Sequence, residues 1–405
     1  MDLPLGTGSV AVALPDCDVT VLERPGRTAV DPRTAAVDAM ADPHGPDLES
    51  LADPDDEVTV VVTDVTRATP DDVLVDVLVD HLPVPRENIR IVIGLGLHRP
   101  MTEAEIREGL GDYADLAVNH DPEATVTMGE VDGHDVDAHP AVAEADLLLS
   151  TGMVEPHQYA GFSGGAKTVV IGAGSESMIR YTHGPEMLSR SGVRLGRIDG
   201  NPFRETIDRA GDVVGLDFCL NVTKGPEGVL GAAAGRPRDV VADLTAVARE
   251  ALSVPVDREY DAVVAGVGAP KDANLYQTTR AATYLALGDR NPVKAGGRIV
   301  LPATLAEGAG EGTGERRFYE RLRTATDAET LYEEMREGYE PGAQRAFVVA
   351  RTLRMADVYV TNSDYPEVVE ECLMHAAPTV ADAVVPGSDV LVVPDALNTL
   401  VVSPE

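Results

Sequence analysis

The chain has 405 residues, too many for one ordinary core, and 44% of them are apolar, enough to fill two. Its 68 acidic residues outnumber 33 basic ones, giving a formal net charge of −35. Such a surface repels nucleic acid and anionic membranes, so neither is expected as a partner.

The acids are spread along apolar-periodic segments rather than gathered in a tail, which indicates a folded protein with a hydrated surface. Arginine in place of lysine, few aromatics and no tryptophan suit a salt-adapted, halophilic composition. Cys17, Cys219 and Cys372 stand far apart without a CxxC, as buried small hydrophobes do. No signal-peptide pattern and no membrane-length apolar run occurs, so a soluble, cytoplasmic protein is expected.

Taken in chain order, short Val/Ile/Leu-rich runs end in Gly, Asp, Thr or Ser. They span residues 57–64, 89–96, 145–152, 261–268, 297–304, 357–363 and 389–395. Continuous apolar runs of this length predict strands buried on both faces. Helices are predicted between them. One has Thr69 as N-cap and Pro70 as first residue, one opens at Thr102 with Glu105 completing a capping box, and one runs from Pro237 to about Leu252. Residues 315–356 read as largely helical. The pattern predicts a two-domain α/β protein with mostly parallel sheets. The boundary falls at residues 253–257. The first domain is residues 1–253, the second residues 254–386, and residues 387–405 could return to the first.

In open α/β sheets ligands bind beyond the carboxyl ends of strands, so the polar residues there carry the argument. Asp64, Val65, Thr66 and Arg67 follow the first strong strand and suit a phosphate or carboxylate beside a helix start, or simply an ordinary loop with Arg67 paired on the surface. Gly94 and Gly96 permit a tight turn that leads to His98, at a strand's carboxyl end where a general acid/base would sit. A structural histidine is the alternative. The segment Glu155-Pro156-His157 repeats the arrangement. Two imidazoles suit a two-faced reaction, one base for each stereoisomer.

Lys167 ends a Gly-rich loop, Gly161 to Ala166, and is one of only four lysines in the chain. An amine can act as a nucleophile and shift its pKa, whereas a guanidinium cannot easily do either. The loop approaches a Walker A pattern but has Ala166 where that pattern needs glycine. The β-branched, Gly-broken VVIGAG that follows predicts no helix opening at the lysine, so nucleotide hydrolysis is disfavoured. His183 falls at the end of a predicted short helix and is a candidate metal ligand. Further on, Gln277 and Arg280 are three apart and share a helix face, where they could hold a carboxylate and a hydroxyl, or be solvated polar residues.

Together DVTRATP, GLGLHRPMT, NHDP, EPHQYAGFSGGAKTVVIG with its later histidine, and KDANLYQTTR resemble the nickel-pincer lactate racemase family in order and spacing. The resemblance covers most of the chain and implies a two-domain α/β fold with the active site in the interdomain cleft. It implies a Ni(II)-pyridinium-3,5-bisthiocarboxylate mononucleotide joined covalently to Lys167, contacted by Asp64, Val65, Thr66 and Arg67, with His183 completing nickel coordination. His98 and His157 match the acid/base histidines, and Arg67, Gln277 and Arg280 the substrate-binding residues. Arg280 departs from the family's lysine. The implied activity is interconversion of D- and L-lactate by hydride transfer to and from the cofactor. Cofactor-biosynthesis proteins would be partners. Another 2-hydroxy acid or a sugar acid as substrate, and a non-catalytic phosphate-ligand-binding protein, are the alternatives.

Overall fold

A computed structural model describes residues 1–340 and 342–404. The fold is α/β, with two six-stranded sheets. In chain order their strands are β1 (Asp18–Val21), β2 (Val58–Thr63), β3 (Ile89–Gly94), β4 (Ala117–Asn119), β5 (Leu147–Val154), β6 (Phe218–Gly225), β7 (Gly228–Gly235), β8 (Tyr260–Ala265), β9 (Val293–Pro302), β10 (Asp357–Thr361), β11 (His375–Ala377) and β12 (Asp389–Val393).

The chain divides into two compact units. The first comprises Gly26–His183 and Arg197–Ala251. Its sheet has the order β7-β6-β5-β2-β3-β4 and is parallel except for the β6–β7 hairpin. Val58, Val60, Val62, Ile91, Ile93, Leu149 and Leu220 fill its core. The consecutive β-branched run of β2 forms a central strand because helices cover both faces of such a sheet. From β2 the chain proceeds outward through β3 and β4, then returns to the other side of β2 as β5. The carboxyl ends of β2 and β5 therefore flank a topological switch point, where α/β sheets bind ligands.

The helix after β2 spans Asp71–Val79 and starts one residue later than predicted. Thr69 does not cap it. The Thr69 hydroxyl instead lies 2.7 Å from that of Thr63, which is also 2.9 Å from the Asp71 carboxylate. Asp71 is buried and accepts a 2.5 Å hydrogen bond from Thr151 of β5. The box at Thr102 and Glu105 and the helix Pro237–Leu252 form as predicted.

The second unit comprises Met1–Pro25, Gly184–Gly196 and Leu252–Glu405. Its sheet has the order β11-β10-β9-β8-β12-β1 and is wholly parallel. Helices Thr313–Arg323, Ala328–Glu337 and Gln344–Leu353 make up the predicted helical stretch. The outermost strand β1 pairs with β12, Val19 opposite Val390. Residues 1–25 and the last strand thus belong with residues 252–386. The sequence pointed instead to residues 1–25 in the first domain and allowed 387–405 to join it. Strand β1 is a four-residue edge strand with no buried side chain, so it carries no apolar run to betray its distant partner. No helix of the described residues is long and apolar enough to cross a membrane.

Burial pushes the Asp71 carboxyl up to about 6, against hydrogen bonds from Thr151 and Thr63 that pull it down. A carboxyl that holds its proton more tightly folded than unfolded stabilises the fold at pH values below its unfolded pKa of about 4. That contribution is lost as pH rises through the folded value. The stability advantage of wild type over Asp71→Asn should therefore fall by on the order of 2 kcal/mol between about pH 4 and pH 7.5. Denaturant titrations of both proteins at fixed salt measure it. A constant difference would mean that Asp71 titrates like an exposed carboxylate.

Candidate active site

Beyond β5, Pro156–His157 pairs back on Gly161–Phe162 in a tight antiparallel bend. Gly161 sits at φ +76°, and a Cβ there would lie 1.8 Å from the Arg197 carbonyl oxygen. Only glycine permits both the conformation and the approach. The loop then enters a helix, Ala166–Val170, all five residues of which are buried. This corrects the expectation that no helix opens at Lys167. Burial overrides the poor helix propensity of Thr168, Val169 and Val170. The helix packs tightly on Pro202–Val214, where a Cβ on Gly211 would lie 2.4 Å from that of Ala166.

Lys167 stands in that first turn with 8% of its surface exposed. Among the described residues its amine makes no hydrogen bond or ion pair. Burial pushes it down to about 7, and the cations Arg67 and Arg204 push the same way, against Glu155 and Asp64. At neutral pH a large share of the amine is therefore uncharged and nucleophilic.

Arg204 escaped the sequence reading. It is buried, approaches the carbonyls of Phe162 (3.5 Å) and Gly164 (3.3 Å), and pairs with Asp208 at 2.8 Å. The guanidinium thus fastens the Gly-rich loop from beneath while adding a positive charge near Lys167. The available signal was its position on the helix, next to the buried spacing Phe203, Ile207, Ala210, Val214.

His183 closes the helix Glu176–Thr182 and is also buried. Its Nδ1 lies 3.2 Å from the Ile179 carbonyl and 3.0 Å from the Thr182 hydroxyl, which itself donates to the Met178 carbonyl. Nδ1 therefore carries the proton, and Nε2 presents a lone pair. Burial pushes the imidazole down to about 3, helped by the charge of Lys167, so the ring is neutral. Tyr159 and Phe203 hold it edge-on, at 5.6 and 5.0 Å between centroids. Among the described residues no group of three or more His, Cys, Asp or Glu is arranged to hold a metal. A metal at His183 would take its other donors from a bound group.

The loops after β2 and β3 complete the site. Gly94 approaches the Lys167 helix so closely that a Cβ would lie 3.1 Å from the Thr168 carbonyl, and Gly96 donates to the Gly172 carbonyl at 2.8 Å. This places the His98 turn against the end of that helix. His98 Nδ1 lies 2.5 Å from Asp64 Oδ2, while Asp64 Oδ1 accepts from the Thr66 hydroxyl and backbone at 2.6 and 3.0 Å. Burial pushes the Asp64 carboxyl up, but the His98 and Thr66 bonds outweigh it and hold it below the ordinary range. Arg67 crosses the switch point to Glu155 at 2.8 Å. Val65 is exposed on the turn. His157 Nδ1 accepts from the backbone of Tyr159 and Ala160, and its ring lies 6.2 Å from that of Phe203.

Hydrogen bonds link Asp64 to Thr66 and His98, an ion pair links Arg67 to Glu155, and His157 and His183 both lie against Phe203; these residues and Lys167 all belong to the first unit. Gln277 and Arg280 lie on the helix Leu275–Ala286 of the second unit. There Arg280 bonds Gln277 Oε1 at 3.4 Å and the Tyr284 hydroxyl at 2.9 Å.

Residues 5–196 match the family model of the lactate racemase N-terminal domain, and residues 257–403 that of the C-terminal domain. The chain belongs to the lactate racemase family. It is 26% identical to the lactate racemase of Thermoanaerobacterium thermosaccharolyticum over 99% of both chains, and 28% identical to that of Lactiplantibacillus plantarum over 90% of this chain and 89% of the other. The structure of the Thermoanaerobacterium apoprotein superposes with a TM-score of 0.87 at 26% identity, covering 99% of both chains. A Thermotoga maritima protein shares the fold, with a TM-score of 0.67 at 17% identity over 91% of this chain and 98% of the other. The protein is accordingly an isomerase of the racemase class.

Selective amine acylation tests the state of Lys167. Its labelling rate in the cofactor-free protein should rise with pH through about 7 and level off above that, because only the uncharged amine reacts. Peptide mass spectrometry against pH reads this directly. A rate still climbing steeply near pH 10 would mean an ordinary lysine.

Proposed function

We propose that this racemase interconverts D- and L-lactate with a nickel-pincer pyridinium mononucleotide carried on Lys167. One observation carries the proposal: a buried, largely uncharged lysine amine stands near a buried, neutral imidazole whose Nε2 is the unprotonated nitrogen. The two nitrogens meet the two demands of such a group, an amine for acyl attachment and a neutral ligand for a metal that brings its other donors. Arg67 and Thr66 beside β2 are suited to the mononucleotide's phosphate and hydroxyls.

When bound, the cofactor supplies an electron-poor carbon that accepts and returns hydride. The chemistry requires this because the Cα–H of a 2-hydroxy carboxylate is too weak an acid for an imidazole to deprotonate. The chain's own task is to handle the hydroxyl proton and orient the acid. His98 and His157 form the acid/base pair. Asp64 orients the His98 ring and stabilises the imidazolium that forms when the hydroxyl proton reaches Nε2. Arg67, with Gln277 and Arg280, is assigned to the substrate. Guanidinium groups bind a carboxylate in two-pronged fashion, and the Gln277 amide bonds a hydroxyl.

The decisive experiment is the intact denatured mass, with nickel content, of protein purified in high salt from its native host. The expected result is a covalent adduct mapping to Lys167, about one nickel per chain, and racemisation of lactate. Lys167→Arg should lose adduct, nickel and activity together. An unmodified, nickel-free chain that still racemises lactate would refute the proposal. An adduct-bearing chain inert on lactate but active on another 2-hydroxy acid would refute the substrate.

A further inference from the structure

The turn after β2 carries Asp64, Thr66 and Arg67 and leads directly into the helix Asp71–Val79. Its backbone is not relaxed. Ala68 sits at φ +50°, in the left-handed region that a Cβ disfavours. Such a conformation persists only where the surroundings impose it. Here they do so through a clasp at the base of the turn. The hydroxyl of Thr63, the last residue of β2, lies 2.7 Å from that of Thr69 and 2.9 Å from one carboxylate oxygen of Asp71. The other oxygen of Asp71 accepts from Thr151 of β5 at 2.5 Å. Thr151 is wholly buried and Asp71 nearly so. Strands β2 and β5 are neighbours, so the turn is tied across the switch point in two places, by Asp71 to Thr151 and by Arg67 to Glu155. Each hydroxyl has one proton, which fixes the order of donors. An ionised Asp71 can only accept, so Thr151 and Thr63 both donate to it and Thr69 donates to Thr63.

We propose that Asp71 is a positioning residue for the racemase site: through Thr63 and Thr69 it holds the Asp64–Arg67 turn in the strained form that presents Asp64 to His98 and Arg67 to the substrate. The inference rests on the roles proposed above for those residues. Both carboxylate oxygens of Asp71 are engaged by threonines, so it acts on the site through the backbone of the turn. The consequence is geometric. Asp64 Oδ2 meets His98 while Oδ1 is held by the Thr66 hydroxyl and N–H. A turn free to relax at Ala68 would carry Asp64 and Arg67 away from these positions, and a displacement of about 1 Å in a positioned group costs up to about 10²-fold in rate. Asparagine at position 71 would keep the clasp. Its oxygen accepts from Thr151, and its N–H donates to Thr63, which then donates to Thr69. Alanine would remove it.

The test has two parts. Hydrogen exchange is measured first, on the cofactor-free full chain. The amides of Thr66 and Arg67, which bond Asp64 Oδ1 and the Asp64 carbonyl at 3.0 and 3.2 Å, report on the turn. Thr69→Val leaves the buried carboxylate and its two threonines in place and removes only the bond to the turn. Both amides should then exchange about 5-fold faster or more, the effect of one lost hydrogen bond, while those of β2 and β5 are unchanged. Thr69→Ser, which keeps the hydroxyl, should exchange like wild type. Unchanged exchange in Thr69→Val would overturn the proposal, because the turn would keep its form without the clasp. Initial rates of lactate racemisation, normalised to bound nickel, are read next on the cofactor-loaded enzyme. Thr69→Val and Asp71→Ala should lower kcat/KM by about 10-fold or more, and Thr69→Ser and Asp71→Asn should stay within about 3-fold of wild type. If Asp71→Ala fails to fold, the Thr69 pair decides. A loosened turn with undiminished kcat/KM would overturn the proposal, as would an Asp71→Asn enzyme as impaired as a folded Asp71→Ala. A wild type that carries the cofactor yet is inert on lactate would refute the functional reading instead. The exchange result needs no cofactor and tells that failure from a failure of the clasp.

Discussion

The site rests on two buried nitrogens, those of Lys167 and His183, whose protonation burial disfavours even inside a chain with a net charge of −35. A negative surface favours protonated bases, so the default for a lysine here is a charged amine. Desolvation reverses that. Lys167 lies in a buried helical turn and His183 caps another helix, so charging the amine or the ring would place a cation where little water reaches it. Two local cations reinforce the effect. Arg204 lies beneath the Gly-rich loop and Arg67 lies across the switch point, and both raise the cost of a third positive charge.

That constraint explains the glycines. Burying a polar turn requires backbone to approach backbone, and the close contacts of Gly161 with Arg197 and of Gly94 with Thr168 leave no space for a Cβ. The same closeness draws the turn after β3, which carries His98, against the end of the Lys167 helix. The Asp64–His98 and Arg67–Glu155 contacts then fix the loops to each other.

What was legible in the sequence was whatever repeats locally. Apolar runs marked the parallel strands, and polar residues just beyond them marked Asp64, Arg67, His98 and His157. What was not legible depends on distant partners. The placement of β1 beside β12 needs a pairing across almost the whole chain, and its four residues bury nothing that would announce it. The helix at Lys167 contradicts local propensity and is buried against another helix, which Gly211 lets press close. Nor can a sequence tell which imidazole nitrogen holds a proton. For His98 that is decided by its contact with Asp64.

The scarcity of lysine sharpens the contrast between position 167 and position 280. A cation that only has to hold a carboxylate can be a guanidinium, provided its planar fork is oriented. Arg280 is oriented by Gln277 one turn before it and by the Tyr284 hydroxyl one turn after, with the Tyr284 ring 5.7 Å from the guanidinium carbon. Arg345 in turn anchors that helix, bonding the Tyr276 carbonyl at 2.8 Å and the Thr279 hydroxyl at 3.2 Å. Position 167 admits no such exchange. A guanidinium stays charged above pH 12 and is no nucleophile, so in the buried turn it would be an unpaired cation with no chemistry to offer. A chain that uses arginine for nearly every other cation therefore keeps an amine at the buried turn where burial favours the uncharged form.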